Sequence, residues 1–394
     1  MTKRNVYLDN SATTQVRKEV LEEMIPYFSN IYGNASSVHT YGQEAKKALS
    51  NAREKFAKLI NAESEEEIIF TSCGTEADNI AIVGSLLANK GNHVITSKIE
   101  HHAVLFTCQN LAKNGYKSDF ISTDKIGRIN VEELKQKITD DTVIVSVMHA
   151  NNEIGIIEPI EEISKVLKEI NKTRKNPILL HTDAVQTAGK MKLDVQKLGV
   201  DLLSVSGHKF YAPKGVGALY IKKGTKIEPL FHGGHHEFGM KPGTENVAEI
   251  VAMTKALELA NSEIEEENEK IFYLRNKLMD GIVAKIPEVV INTDIKHSVA
   301  SILSVSFNYI EGESLLLMLD MAGIAASAGS ACATGSAEPS HVLSAIDANP
   351  IAAQGTLRFS LGRYNVEQDI DYVLDVLPGL VEKVRKMSPV WNNR

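Results

Sequence analysis

Three cysteines in 394 residues, Cys73, Cys108 and Cys332, are too widely spaced and odd in number for a disulfide framework. None stands in a C-x-x-C pair of the kind that holds zinc. Each is then either a small buried apolar side chain or a reactive thiol. Positive charge is also in deficit. The 43 lysines and arginines face 50 aspartates and glutamates, and the net charge of −7 argues against a nucleic-acid surface. No apolar run reaches the ~18 residues of a membrane span. The first nine residues lack the apolar core of a signal peptide. A cytoplasmic protein with no membrane partner is expected. Internal repeats and low-complexity tracts are missing too, so solenoids and linkers are excluded.

What is present is an alternation. Apolar runs at 67–71, 93–96, 142–147, 178–181, 202–205 and 217–221 read as strands, and amphipathic stretches at 38–60, 76–88, 102–113 and 159–170 as helices. This pattern predicts an α/β fold with a mostly parallel central sheet and helices on both faces. Ligands in such sheets bind at the carboxyl ends of the strands. From 244 to about 284 helix formers dominate, and the acidic run at 263–267 reads as a solvated helix face. Strands at 301–307, 324–326 and 357–360 and helices at 313–321 and 366–387 follow, a smaller α+β domain. The expected division is a large domain over 15–260 and a small one from 1–14 and 261–394.

The predicted strand ends carry polar residues that form a series. Ser72-Cys73-Gly74-Thr75-Glu76 joins strand to helix. It offers either a phosphate cup of backbone N–H groups, with Gly74 and Thr75 at its centre, or an ordinary N-cap at Thr75. His101 and His102 follow the next strand. An imidazole there could stack on a flat heteroaromatic ring or remain a surface side chain. Asn152 could hydrogen-bond a phenolate oxygen or simply form a turn. Asp183 is a carboxylate at a buried strand end and needs a cationic partner, which a protonated pyridine nitrogen supplies. Gln186 adds an amide. Ser206 and His208 flank Lys209, an ammonium at the end of a buried strand. Desolvation there would free the amine to attack a carbonyl. Together they form a site for pyridoxal 5′-phosphate (PLP) held by Lys209 as a Schiff base.

Two further positions stand out near the C-terminus. Cys332 lies in the small-residue loop Ser327-Ala328-Gly329-Ser330-Ala331-Cys332-Ala333-Thr334-Gly335-Ser336, which lacks the apolar neighbours of a core cysteine and reads as a reactive thiol. Cys108 reads as helix core and Cys73 as a packing residue. Arg358, inside the apolar strand Leu357-Arg358-Phe359-Ser360, needs an anion, either a substrate carboxylate or a structural partner.

These residues, with Tyr7-Leu8-Asp9-Asn10-Ser11-Ala12-Thr13-Thr14, Glu100-His101-His102-Ala103-Val104, Asn151-Asn152-Glu153-Ile154-Gly155, His181-Thr182-Asp183-Ala184-Val185-Gln186, Gly243-Thr244-Glu245-Asn246 and Gly329-Ser330-Ala331-Cys332, resemble the cysteine desulfurases of the NifS/IscS type. These form part of the class V branch of fold-type I PLP-dependent transferases. The resemblance runs end to end. The segments Thr71-Ser72-Cys73-Gly74-Thr75-Glu76 and Ser388-Pro389-Val390-Trp391 look more like the nitrogen-fixation-associated members. Ala35, Lys241 and Asp347 depart from the usual pattern of proline, arginine and glycine.

The resemblance implies a homodimer in which Thr244 reaches the cofactor phosphate of the neighbouring subunit. It implies that Arg358, Asn34 and Asn152 bind the substrate, L-cysteine, and that His101 and Lys209 move protons. It also implies that Cys332 takes the sulfur as a persulfide, leaving L-alanine, and hands it to an iron–sulfur scaffold protein, where it is a transient cluster ligand. A selenocysteine lyase or a PLP β-lyase on the same scaffold is the alternative. An aminotransferase would have no use for the Cys332 loop, and a non-catalytic scaffold subunit no use for the Lys209, Asp183, His101 and Cys332 set.

Overall fold

The computed structural model describes residues 4–328, 340–388 and 391. Apolar runs with no polar partner in the period of two, such as Val143-Ile144-Val145, must be covered on both sides, and they form the inner strands of a seven-stranded sheet. Numbered along the chain, the strands are β1 (Val6–Tyr7), β2 (Ile68–Thr71), β3 (His93–Ser97), β4 (Lys117–Ile121), β5 (Thr142–Ser146), β6 (Leu179–Asp183), β7 (Leu202–Ser206), β8 (Gly217–Ile221), β9 (Val289–Ile291), β10 (Ile302–Phe307), β11 (Ile324–Ala325) and β12 (Thr356–Ser360).

The large sheet runs β2-β8-β7-β6-β5-β3-β4. The pairs from β7 through β4 are parallel, and β8 is antiparallel to both β7 and β2. The mostly parallel sheet expected from the alternation is therefore present. The antiparallel β8 follows from its short connection after β7, which leaves too few residues for a crossover helix. Strand β4 was not anticipated. Its sequence, Lys117-Ser118-Asp119-Phe120-Ile121, is polar because it is a half-covered edge.

One face of the sheet packs on the helices Thr40–Leu59 and Ile160–Asn171 and the first half of Val247–Lys285. The other face packs on Gly74–Ala88 and His102–Lys113. The smaller unit has an antiparallel sheet, β12-β10-β9, and a parallel pair, β1 with β11. Its core joins Val6 and Leu8 to residues from Ile271 to Val384, so the N-terminal strand packs with the C-terminal part of the chain.

The 39-residue helix Val247–Lys285 spans both cores, a length of ~58 Å at 1.5 Å per residue. Its acidic run is not simply a solvated face. Glu263 receives Arg17 Nη1 at 2.8 Å and Arg363 Nη1 at 2.7 Å, and Glu267 accepts from the Tyr211 hydroxyl at 2.9 Å. The two lie four residues apart on one side of the helix, where the N-terminal segment and the smaller unit meet it, while Glu265 and Glu266 are exposed.

Candidate active site

Chain order in the large sheet reverses between β3 and β5. At such a switch the connections leave in opposite directions and open a crevice at the strand ends. A cavity of about 260 Å³ lies there, lined among others by Gly74, Thr75, His101, Asn152, Asp183, Gln186, Ser206, His208, Lys209 and Arg358. Ten of the anticipated positions, drawn from four strand ends, a helix start and the smaller unit, thus come together.

The helix Gly74–Ala88 begins at Gly74, with Cys73 as its N-cap and no side-chain cap. The N-cap at Thr75 envisaged as the simpler reading is not formed. Among the described residues the first-turn N–H groups have no side-chain cap, the electrostatic setting that suits a phosphate. A Cβ on Gly74 would lie 2.8 Å from Val185 Cγ2, so the turn can approach the β6 end only with glycine there. Cys73 also lines the cavity and is half-buried. Cys108 is buried in the core as anticipated.

Lys209 ends a short 3₁₀ turn, Gly207–Lys209, directly after β7. Its Nζ donates to the carbonyl oxygens of Ser11 at 2.6 Å and Ala12 at 2.9 Å. Gln186 Nε2 shares the Ser11 carbonyl at 3.1 Å, and Lys190 Nζ donates to Gln186 Oε1 at 3.0 Å. His208 Nδ1 meets Thr13 Oγ1 at 3.2 Å. The polar turn after β1 therefore forms one wall of the site, a role that its ordinary turn composition did not reveal.

Asp183 is the last residue of β6, two residues later than the strand end expected, because the ladder with β7 continues to Ser204. Its Oδ1 accepts the Val185 N–H at 2.8 Å. Burial pushes this carboxyl up to about 6, against the pull of that N–H and of Lys209. His101 caps the helix His102–Lys113 by accepting the Ala103 N–H on Nδ1 at 3.1 Å. Burial, and then the nearby Lys209, lower its imidazole to about 4, so it is neutral near pH 7. Arg358, 2 % exposed, donates from Nη2 to Asp9 Oδ1 at 2.9 Å and from Nη1 to the Asn152 carbonyl at 2.7 Å.

Two anticipated residues lie outside the single-chain cavity. Asn34 is exposed, and its Oδ1 accepts the Ser36 N–H at 2.9 Å within a turn. Thr244 is exposed just before the long helix. Cys332 lies outside the described residues. The described chain before it pairs Ser327 with Arg358. After it, Ser340 Oγ donates to Glu153 Oε2 at 2.5 Å, and His341, bonded to the Glu100 carbonyl at 2.9 Å, lines the cavity. His341 and Glu153 were not singled out as site residues, since nothing in their spacing distinguishes them from surface groups; His102, offered beside His101, also lines the cavity. Among the described residues no His, Cys, Asp and Glu cluster could hold a metal ion, and no helix is long and apolar enough to cross a membrane.

Residues 6–373 match the family described as Aminotransferase class-V. A protein named cysteine desulfurase IscS from Clostridium botulinum (strain Hall) is 52% identical over 394 residues, covering 99% of this chain and 98% of its own. The Azotobacter vinelandii protein named cysteine desulfurase NifS is 45% identical over 389 residues, 98% of this chain and 95% of its own. A solved structure titled NifS-like protein superposes with a TM-score of 0.90 at 40% identity, covering 96% of this chain and all of that one. Of the two curated relatives the IscS-named one is the more similar, so the local likeness to nitrogen-fixation members does not extend over the whole chain.

Proposed function

The chain belongs to the class-V aminotransferases and, within them, to the cysteine desulfurases; on that premise we propose that it converts L-cysteine to L-alanine and carries the sulfur as a persulfide on Cys332 to an iron–sulfur scaffold protein. The observation that supports this most is the meeting of Lys209, Asp183 and the uncapped turn at Gly74 on one cavity. The cavity also fits PLP in its unsatisfied groups: Ser11 Oγ, buried and on the lining, has no hydrogen-bond partner among the described residues. Gly74, Thr75, Ser206 and His208 would hold the phosphate, His101 the ring face, Asp183 the ring nitrogen, Asn152 and Gln186 the ring oxygen, and Lys209 the aldehyde carbon. When bound, PLP supplies an electron sink for the carbanion at the substrate α-carbon.

The chain's own groups would then act as follows. Arg358, steadied by Asp9 and the Asn152 carbonyl, receives the substrate carboxylate, with Asn152 and Asn34 assigned to the same group. Lys209 Nζ accepts the α-proton. His101, neutral, moves a proton at the substrate thiol. The Cys332 thiolate forms an S–S bond to the substrate sulfur as the carbon–sulfur bond breaks. Protonation at the former thiol-bearing carbon completes alanine.

The division into 15–260 and 1–14 with 261–394 is supported by the core that joins Val6 and Leu8 to residues from Ile271 to Val384, while Val342, Leu343 and Ile346 pack across that boundary on Ile99, Met148 and Ile154. A homodimer gives the exposed apolar residues Leu21, Ile25, Phe28, Tyr32 and Tyr41 a covering surface, and gives exposed Thr244 a cofactor phosphate to reach in the partner. Cytoplasmic sulfur delivery suits free thiols kept reduced.

Product analysis tests the reading. Alanine with sulfide from L-cysteine supports it, and pyruvate with ammonia assigns a β-lyase. Formation of mercaptopyruvate from L-cysteine only with a keto-acid acceptor, which takes the amino group, assigns an aminotransferase. Preference for selenocysteine with little action on cysteine assigns a selenocysteine lyase.

A pH dependence follows from Asp183, whose carboxyl stands at about 6. Only the ionised form pairs with a cationic ring nitrogen, so below this value binding must also displace a proton from Asp183, and the stabilisation from the pairing declines as pH falls. Bound PLP, measured by absorbance after desalting at stepped pH, should weaken by about tenfold for each unit below the transition. Undiminished retention as far down as the protein stays folded would remove Asp183 from this role.

A further inference from the structure

Beneath the cavity, one face of the central sheet is graded. Ile144, Leu179 and Leu202 pack in the apolar layer under the helix Gly74–Ala88. Two residues further along the same strands stand Ser146, His181 and Ser204, each 0 % exposed. Two further again, Asp183 and Ser206 reach the cavity. The period of two keeps all of these on one face, and the register sets Ser146 beside His181. The middle layer is bonded across the strands. His181 Nδ1 meets Ser146 Oγ at 2.8 Å and Nε2 meets Ser204 Oγ at 2.9 Å.

Asp78, 1 % exposed, closes this row from the helix and also lines the cavity. Its Oδ1 lies 3.6 Å from His181 Nε2, the same nitrogen that Ser204 Oγ meets at 2.9 Å. Asp78 and Asp183 therefore occupy one dry region, where two ionised carboxylates repel strongly. Their surroundings differ. Asp183 has the Val185 N–H and faces Lys209. Asp78 Oδ1 accepts no hydrogen bond among the described residues, and burial keeps the adjacent His181 ring neutral. The other titratable groups facing Asp78 are Glu100 and Cys73, neither of which adds positive charge.

We propose that Asp78 is a neutral carboxylic acid in the working enzyme, donating to Ser204 Oγ, with Ser204 donating to His181 Nε2 and His181 Nδ1–H donating to Ser146 Oγ. It is a positioning residue: by holding the proton it leaves Asp183 the single anion at the ring nitrogen. The proposal deepens the PLP reading and depends on it only for what Asp183 faces.

Asp78→Asn keeps the shape and the donor and removes only an acid that is already neutral. In the holoenzyme near neutral pH, the infrared difference between wild type and Asp78→Asn should contain the carbonyl stretch of one protonated carboxylic acid. The acid midpoint of PLP retention should stay where it is in wild type. If Asp78 is instead ionised, the difference spectrum shows a lost carboxylate band. Removing that charge then lets Asp183 ionise more readily, moving the midpoint down by about one pH unit or more. Either result overturns the proposal. Should Asp78→Asn fail to fold, Ser204→Ala removes the acceptor, and the acid carbonyl band should shift to higher frequency. No shift would again overturn it. Failure of the PLP reading looks different, since wild type would then retain no PLP at any pH while the infrared result stood unchanged.

Discussion

Lys209→Ala should lower turnover of L-cysteine by at least about a thousandfold, because the amine serves both as the covalent anchor for PLP and as the acceptor of the α-proton. Its position makes the loss specific. The Nζ sits at the end of β7, held by the carbonyls of Ser11 and Ala12, on the cavity shared with Asp183. Removing it also leaves those two carbonyls short of a donor, so a structural effect must be separated from a chemical one. Lys209→Arg keeps a cationic donor for the turn but not the reactive amine. The account predicts that Lys209→Arg folds as wild type and is as inactive as Lys209→Ala, with activity read as alanine formed. Substantial activity in a folded Lys209→Arg protein would remove Lys209 from the chemistry.

Cys332→Ala should leave PLP binding intact and reduce sulfide and alanine formation from L-cysteine by about a thousandfold or more, since no other group is assigned to accept the sulfur. The internal control is Cys73, the second thiol of interest, which lines the cavity beside the Gly74 turn. Cys73→Ser should retain activity within about a fewfold of wild type, a change of less than ~1 kcal/mol in the barrier. The reverse ranking, with Cys73 essential and Cys332 dispensable, would transfer the sulfur-accepting role to Cys73.

The sequence was most informative where chemistry is local to a strand end. Gly74, Asp183 and Lys209 stand out because glycine, a lone carboxylate and a lysine at the close of apolar strands are costly without a ligand, and all three line the cavity. Cys108, in an apolar helix, was legible for the opposite reason. Interactions between distant segments were not legible. The Ser11 and Ala12 carbonyls lie nearly two hundred residues from Lys209. Glu263 looks like any solvent-facing glutamate until Arg17 and Arg363 are brought to it. Arg53 and Glu237 form a buried pair with both oxygens engaged at 2.6 Å, yet neither is marked by its neighbours in the chain. Strand β4 escaped for a further reason: an edge strand with one open side needs polar residues, and polar residues read as loop. The middle layer of Ser146, His181 and Ser204 belongs to the same class, since single polar residues in three separate strands gain meaning only from register.

The most direct measurement is a single turnover of holoenzyme with equimolar L-cysteine, quenched and analysed for amino acid product and for the mass of each cysteine-containing peptide. The account predicts one alanine per active site and one added sulfur atom on the Cys332 peptide, with the Cys73 and Cys108 peptides unchanged. Pyruvate in place of alanine, or sulfur absent from Cys332, would contradict it.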